Sequence, residues 1–188
     1  PQPASRTTPA GIIRQFTYDP AQKSLTRITL ADGSHADYAY AAASGRLTRS
    51  TNTTARRDRS YDGYEFPTSQ TVNTDGTDTT TRFTWSPGGR LTRMEAPVGD
   101  AETRSYDSAG RLVSITSGGC TITHSYDSHG RPVTTTIAEG GRSLVTTVAF
   151  DGYGREASRD FTLNGALQRR VSRSYLKNGN LSRRLTTA

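Results

Sequence analysis

The sequence predicts an all-β fold of tandem β-hairpins joined into a continuous, curled antiparallel sheet. Three observations carry this. An aromatic residue followed by a turn recurs eight times along the 188 residues. Thirty threonines and fifteen aromatic residues supply the side chains that suit a pleated surface. No segment shows a helical hydrophobic period.

Residues 1–15 read as a lead-in segment and residues 16–188 as the repeats. In order, the copies start at Tyr18 (YDPAQKSL), Tyr40 (YAAASGRL), Tyr61 (YDGYEFPT), Trp85 (WSPGGRLT), Tyr106 (YDSAGRLV), Tyr126 (YDSHGRPV), Phe150 (FDGYGREA) and Tyr175 (YLKNGNLS). Successive starts are 22, 21, 24, 21, 20, 24 and 25 residues apart, the period of a repeat architecture.

The motif has a mechanical reading. An Asp opening a four-residue turn accepts hydrogen bonds from backbone N–H groups two residues on. A Gly three residues later supplies the positive φ that closes the loop. Asp107 with Gly110, Asp127 with Gly130 and Asp151 with Gly154 fit, each followed by an arginine: Arg111, Arg131 and Arg155. Gly179 stands in the corresponding place after Tyr175. A second set of turn signals falls between these loops, at Asp32-Gly33, Asp75-Gly76, Gly118-Gly119, Gly140-Gly141 and Asn164-Gly165. Each repeat is therefore strand, turn, strand, turn, with strands of about six to nine residues and about sixteen strands in all. At about 4.8 Å per strand, a single sheet of them spans about 75 Å and must curl, close or split.

Residues two before each signature aromatic share its face: Phe16, Tyr38, Arg59, Phe83, Arg104, His124, Val148 and Arg173. Stacked repeats then form an aromatic ladder beside a mixed aromatic and arginine ladder, with ring–guanidinium contacts between them.

Composition agrees with a thin sheet. Leu, Ile, Val and Phe number 29, about 15% of the chain, short of the roughly 20% below which disorder enters consideration. The abundance of Thr and Tyr argues against disorder. The net charge of +7 comes from 22 Arg and 2 Lys against 17 acids, a balance compatible with a polyanion partner. The arginines are spread along the chain, however, and the nearest approach to a run is Arg56, Arg57 and Arg59. Cys120 is the sole cysteine, which excludes an internal disulfide. No stretch approaches the ~18 apolar residues of a membrane helix, and no signal peptide is read. The chain begins at Pro1 and its one methionine is Met94, so it reads as a piece of something longer.

The pattern Tyr106-Asp107-Ser108-Ala109-Gly110-Arg111-Leu112 resembles the YD repeat of Rhs proteins, the family that includes teneurins and the B and C components of bacterial insecticidal toxin complexes. The resemblance covers roughly residues 16–188, and residues 61–188 are most similar to the repeat region of a B component. It implies a β-strip spiralling into a hollow shell that, in bacterial members, encloses a toxic polypeptide until delivery. The implied role is a non-enzymatic wall segment of a secreted complex, with no membrane insertion of its own. The implied partners are the remaining repeats of the parent, a partner toxin-complex subunit and the enclosed polypeptide. Several copies depart from the pattern. The Tyr40 copy has an extra residue before Gly45, Glu65 stands where Gly is expected, the Tyr18 copy lacks Gly, and Asn180 replaces Arg. The autoproteolytic segment with Asp residues that cargo-releasing members carry matches no position here.

Candidate chemistry is sparse. His124 lies four residues after Cys120 on one strand, a separation of about 13 Å that precludes direct hydrogen bonding. One Cys and one His give too few ligands for structural zinc. His129 sits within a turn and His35 follows one, both in solvated positions. The turn aspartates are explained by turn formation. No catalytic, cofactor-binding or metal-binding residue is assigned. The alternative to a wall segment is an adhesive module that binds a glycan or other polyanion through its arginines and aromatic ladders.

Overall fold

A computed structural model describes residues 2–187. It divides into two units, Pro1–Val98 and Gly99–Ala188. The first holds β1 (Ser5–Thr7), β2 (Ile13–Tyr18), β3 (Leu25–Leu30), β4 (His35–Tyr40), β5 (Leu47–Thr51), β6 (Ala55–Tyr61), β7 (Pro67–Thr74), β8 (Thr77–Trp85) and β9 (Leu91–Glu95). The second holds β10 (Glu102–Tyr106), β11 (Leu112–Ser117), β12 (Cys120–Tyr126), β13 (Pro132–Glu139), β14 (Arg142–Phe150), β15 (Glu156–Leu163), β16 (Ala166–Tyr175) and β17 (Leu181–Thr187). No helix occurs among the described residues. Within each unit every strand pairs antiparallel with the next in sequence.

The sixteen expected strands correspond to β2–β17. The extra strand, β1, lies in the lead-in segment and pairs with β2, which itself begins at Ile13. Strand lengths range more widely than six to nine residues: β9 has five and β16 has ten.

Each signature aromatic is the last residue of its strand, and at every one the register slips. Ser105 faces Ser114 but Tyr106 faces Leu112, which leaves Val113 as the additional residue of a β-bulge. The same slip precedes Tyr18, Tyr40, Tyr61, Trp85, Tyr126, Phe150 and Tyr175. In three copies the additional residue is a threonine whose hydroxyl donates across the bulge. Thr26 donates to the Thr17 carbonyl, Thr48 to that of Ala39 and Thr92 to that of Thr84, each at 3.1 Å.

Val171, 3% exposed, is the one buried apolar side chain among the described residues. A single-layered sheet has no interior, so its two faces must differ in chemistry rather than in depth. In the second unit one face carries the row Ile115, Ile122, Ile137, Leu144 and Leu163, in direct cross-strand succession. One residue out of register, the opposite face carries Ser114, Thr123, Thr136, Val145 and Thr162. In the first unit that polar face carries ion pairs, Arg27 with Asp37 and Arg49 with Asp58, both directly opposed across strands. Such cross-strand pairs contribute roughly 0.2–1 kcal/mol each and take the place of core burial.

Candidate functional site

The signature residues meet where the turn of one repeat lies beside the turn of the next. Asp107 builds its own turn first. Its Oδ1 accepts the backbone N–H groups of Ala109 at 3.0 Å and Arg111 at 2.9 Å, and its Oδ2 accepts Arg111 Nε at 2.7 Å. Asp127 does the same with His129 and Arg131, and Asp151 with Tyr153 and Arg155. Backbone donation from the arginine, followed by its guanidinium, holds all three carboxyls below the usual carboxylate range against the opposing effect of desolvation. Gly110, Gly130 and Gly154 close these turns at φ 78°.

The oriented arginine then reaches the following repeat. The guanidinium carbon of Arg111 lies 4.6 Å from the centre of the Tyr126 ring. Arg131 lies 4.0 Å from that of Phe150 and Arg155 4.4 Å from that of Tyr175. The ring answers with its polar edge. Tyr126 Oη donates to the Leu112 carbonyl at 2.7 Å, the residue after Arg111. Tyr40 donates to Leu25, Tyr61 to Leu47 and Tyr175 to Glu156, while Trp85 Nε1 donates to Pro67 at 2.7 Å. Tyr18 makes the equivalent bond to Pro3, in the lead-in segment. Asp, Arg and the next aromatic thus form a clasp between successive repeats.

The irregular copies keep the clasp with other atoms. Phe66 occupies the arginine's place in the Tyr61 copy and stacks on Trp85, ring centres 5.3 Å apart. Glu65, standing for Gly at φ 66°, accepts Arg46 Nη2 at 2.8 Å, and Arg46 lies 5.8 Å from the Tyr61 ring centre. Lys23 takes the positive φ in the Tyr18 copy, and Gly179 does so at 88° in the last copy.

One expectation is corrected here. The arginines two before the aromatic do not supply the stacking guanidiniums. Arg59 donates to Gln70, Arg104 pairs with Glu102 and Arg173 pairs with Glu156. These strand arginines are each taken by a nearby polar side chain on their own or an adjacent strand, whereas the motif arginine leaves its turn already oriented by its Asp and aimed at the next repeat. Sequence reasoning missed the bulges too. The recurring Leu-Thr-Arg at Leu25, Leu47 and Leu91 marks three of them.

Of the residues weighed for chemistry, the turn aspartates belong to the clasp and His129 gives it a backbone N–H, while Cys120, His124 and His35 take no part in it. Cys120 and His124 both lie on extended β12, and His124 Nδ1 is 3.1 Å from Thr135 Oγ1. His129 is on a turn beside Ser128, and His35 Nε2 lies 3.6 Å from Asp37. Among the described residues, no three His, Cys, Asp or Glu side chains converge as a metal site.

Residues 85–119 and 106–143 match the RHS Repeat family. No curated protein sequence matches the chain. The fold is similar to that of solved structures of TcdB2-TccC3-Cdc42 (TM-score 0.74, 15% identity, 96% of this chain and 11% of that one). It is also similar to TcdB2-TccC3 (TM-score 0.73, 16% identity, 100% and 11%). TcdB2-TccC3 without its hypervariable C-terminal region gives a TM-score of 0.73 at 14% identity, with 96% and 11% covered. The chain therefore spans about a tenth of the length of the chains it resembles.

Proposed function

We propose that this RHS-repeat chain is a non-enzymatic wall segment of a secreted shell that encloses a toxic polypeptide. The repeats are assigned to residues 16–188, with residues 1–15 leading in. The observation that carries the reading is the clasp. Its aromatic rings and motif arginines link neighbouring repeats, and its glycines close the turns that position them. A wall needs lateral cohesion without a thick core, and this arrangement supplies it. Likeness to TcdB2-TccC3 structures across nearly the whole chain supports the same role. It also supports partners of that kind: further repeats of the parent protein, a second complex subunit and the enclosed polypeptide.

A non-catalytic role is supported by the aspartates, the most abundant candidate acids of the motif. Asp107, Asp127 and Asp151 each accept two backbone donors and a guanidinium of their own turn.

Protease protection of the full-length protein tests the wall. Polypeptide enclosed by the repeats should resist digestion in the wild type. It should become digestible when Asp127→Ala and Arg131→Ala open the clasp while circular dichroism retains its β signal. Equal digestion of that polypeptide in both proteins would sink the proposal.

A further inference from the structure

We infer a binding site for an acidic saccharide on the aromatic face of the first unit, where Tyr38 and Arg57 flank Ser50. The cross-strand row runs Tyr38 opposite Ser50, Ser50 opposite Arg57, and Arg57 opposite Val72. A small side chain between two tall ones makes a notch, and a cavity of about 280 Å³ lies there, with Ala36 and Asn52 also in its wall. A second cavity of about 230 Å³ shares Ala36 and Asn52 and reaches Arg14.

Several polar groups of this notch have no internal partner among the described residues. Tyr40 and Tyr61 donate their hydroxyls to backbone carbonyls, but the Tyr38 hydroxyl bonds to no protein group. The same holds for the Ser50 hydroxyl and for the Asn52 amide nitrogen, although Asn52 Oδ1 caps its own turn at Thr54 and Ala55. Arg14 and Arg57 pair with no carboxylate, and they are exposed. Nearby acids are held on the opposite face: Asp37 by Arg27, and Asp58 by Arg49 and Arg56. The notch holds the unpaired Arg57 beside Arg56, whose charge Asp58 and Asp78 already meet, together with one aromatic wall and several hydroxyl or amide donors, and the adjoining cavity adds the unpaired Arg14.

This chemistry fits a uronate residue of a glycan. Its carboxylate pairs with a guanidinium, its ring C–H face lies against Tyr38, and its hydroxyls meet Ser50 and Asn52. An acidic peptide would satisfy the cations but would leave the aromatic wall and the hydroxyl donors without complementary groups. The site lies apart from the turn clasp, so it does not depend on the wall reading.

Calorimetric titration of the full-length protein tests it, with a tetrasaccharide of alternating glucuronate and N-acetylglucosamine as probe. Saturable binding is expected, weakened about tenfold or more by Arg57→Gln, the loss of one charge-assisted contact. The neutral N-acetylglucosamine tetramer should bind at least about tenfold more weakly on the same ground. Ser50→Trp, which fills the notch, should abolish binding. If that variant misfolds, the exposed Arg57→Gln variant decides alone. Absence of saturable binding, unchanged binding in Arg57→Gln, or equal binding of hexaglutamate would each overturn the proposal.

Discussion

The guanidinium carbon of Arg131 lies 4.0 Å from the centre of the Phe150 ring, closer than Arg111 to Tyr126 or Arg155 to Tyr175. Phe150 is also the signature aromatic with no polar edge, so it has no counterpart to the bond from Tyr126 to Leu112. At this joint the stack has to do what stack and hydrogen bond do together elsewhere. Arg131→Lys keeps the charge but loses the planar group that covers the ring and the fork that meets Asp127. A destabilisation of about 1 kcal/mol is expected, read as a lower urea midpoint with unchanged slope.

Gly154 and Gly130 share φ 78° but differ in what lies above them. A Cβ at Gly154 meets Arg131 Nη1 at 3.0 Å, whereas one at Gly130 meets Arg111 Nη1 at 3.6 Å. Both alanine variants incur the left-handed backbone cost of about 1–2 kcal/mol. Gly154→Ala must also push the guanidinium off its seat, so it should be the more destabilising. The excess should vanish in an Arg131→Ala background, as a double-mutant cycle would show. Persistence of the excess would mean that the seat is not its cause.

Much of this was legible in the sequence because it is local. Asp127, Gly130 and Arg131 lie within five residues, and turn chemistry assigns the first two without any tertiary knowledge. The alternation that puts His124 and Tyr126 on one face is equally local, and both are less exposed than Ser125 between them. The destination of Arg131 was not legible, because its partner ring lies nineteen residues ahead and depends on how consecutive turns align. The bulges were hidden for a related reason. An additional residue such as Val133 leaves the apolar pattern of its own strand intact and shows only in the pairing with β12. The substitution of Phe66 for arginine reads as a broken motif until Trp85 is seen beneath it.

Tyr61 and Tyr38 offer a paired test of the ladder. The Tyr61 hydroxyl donates to the Leu47 carbonyl at 2.9 Å, whereas that of Tyr38 has no partner among the described residues. Tyr61→Phe should cost about 1 kcal/mol, the net worth of an intramolecular hydrogen bond. Tyr38→Phe should leave stability unchanged. Thermal unfolding of both variants measures the difference, and equal losses would remove the hydroxyl bond from the account of the clasp.

Acid should open the clasp from its carboxylates. Asp107, Asp127 and Asp151 are all held below the ordinary carboxylate range, first by the backbone N–H of the motif arginine and then by its guanidinium. Asp37, Asp58 and Asp160 are lowered as well, each chiefly by a hydrogen bond from an arginine side chain. A depressed native pKa means that the unfolded state binds protons more readily. These groups therefore add stability that is fully present above the unfolded value of about 3.9 and lost as pH falls through the native value. Stability should be level from neutral pH down to about 5 and decline below about 4 as the unfolded carboxyls protonate. Asp127→Asn keeps an oxygen for the two backbone donors but cannot protonate, so it should shallow the acid limb while lowering stability at neutral pH. Urea midpoints between pH 7 and about 3 would show this, the low end being set by the reference carboxylate pKa. A variant whose acid limb matches the wild type would place the loss of stability at carboxylates outside the clasp.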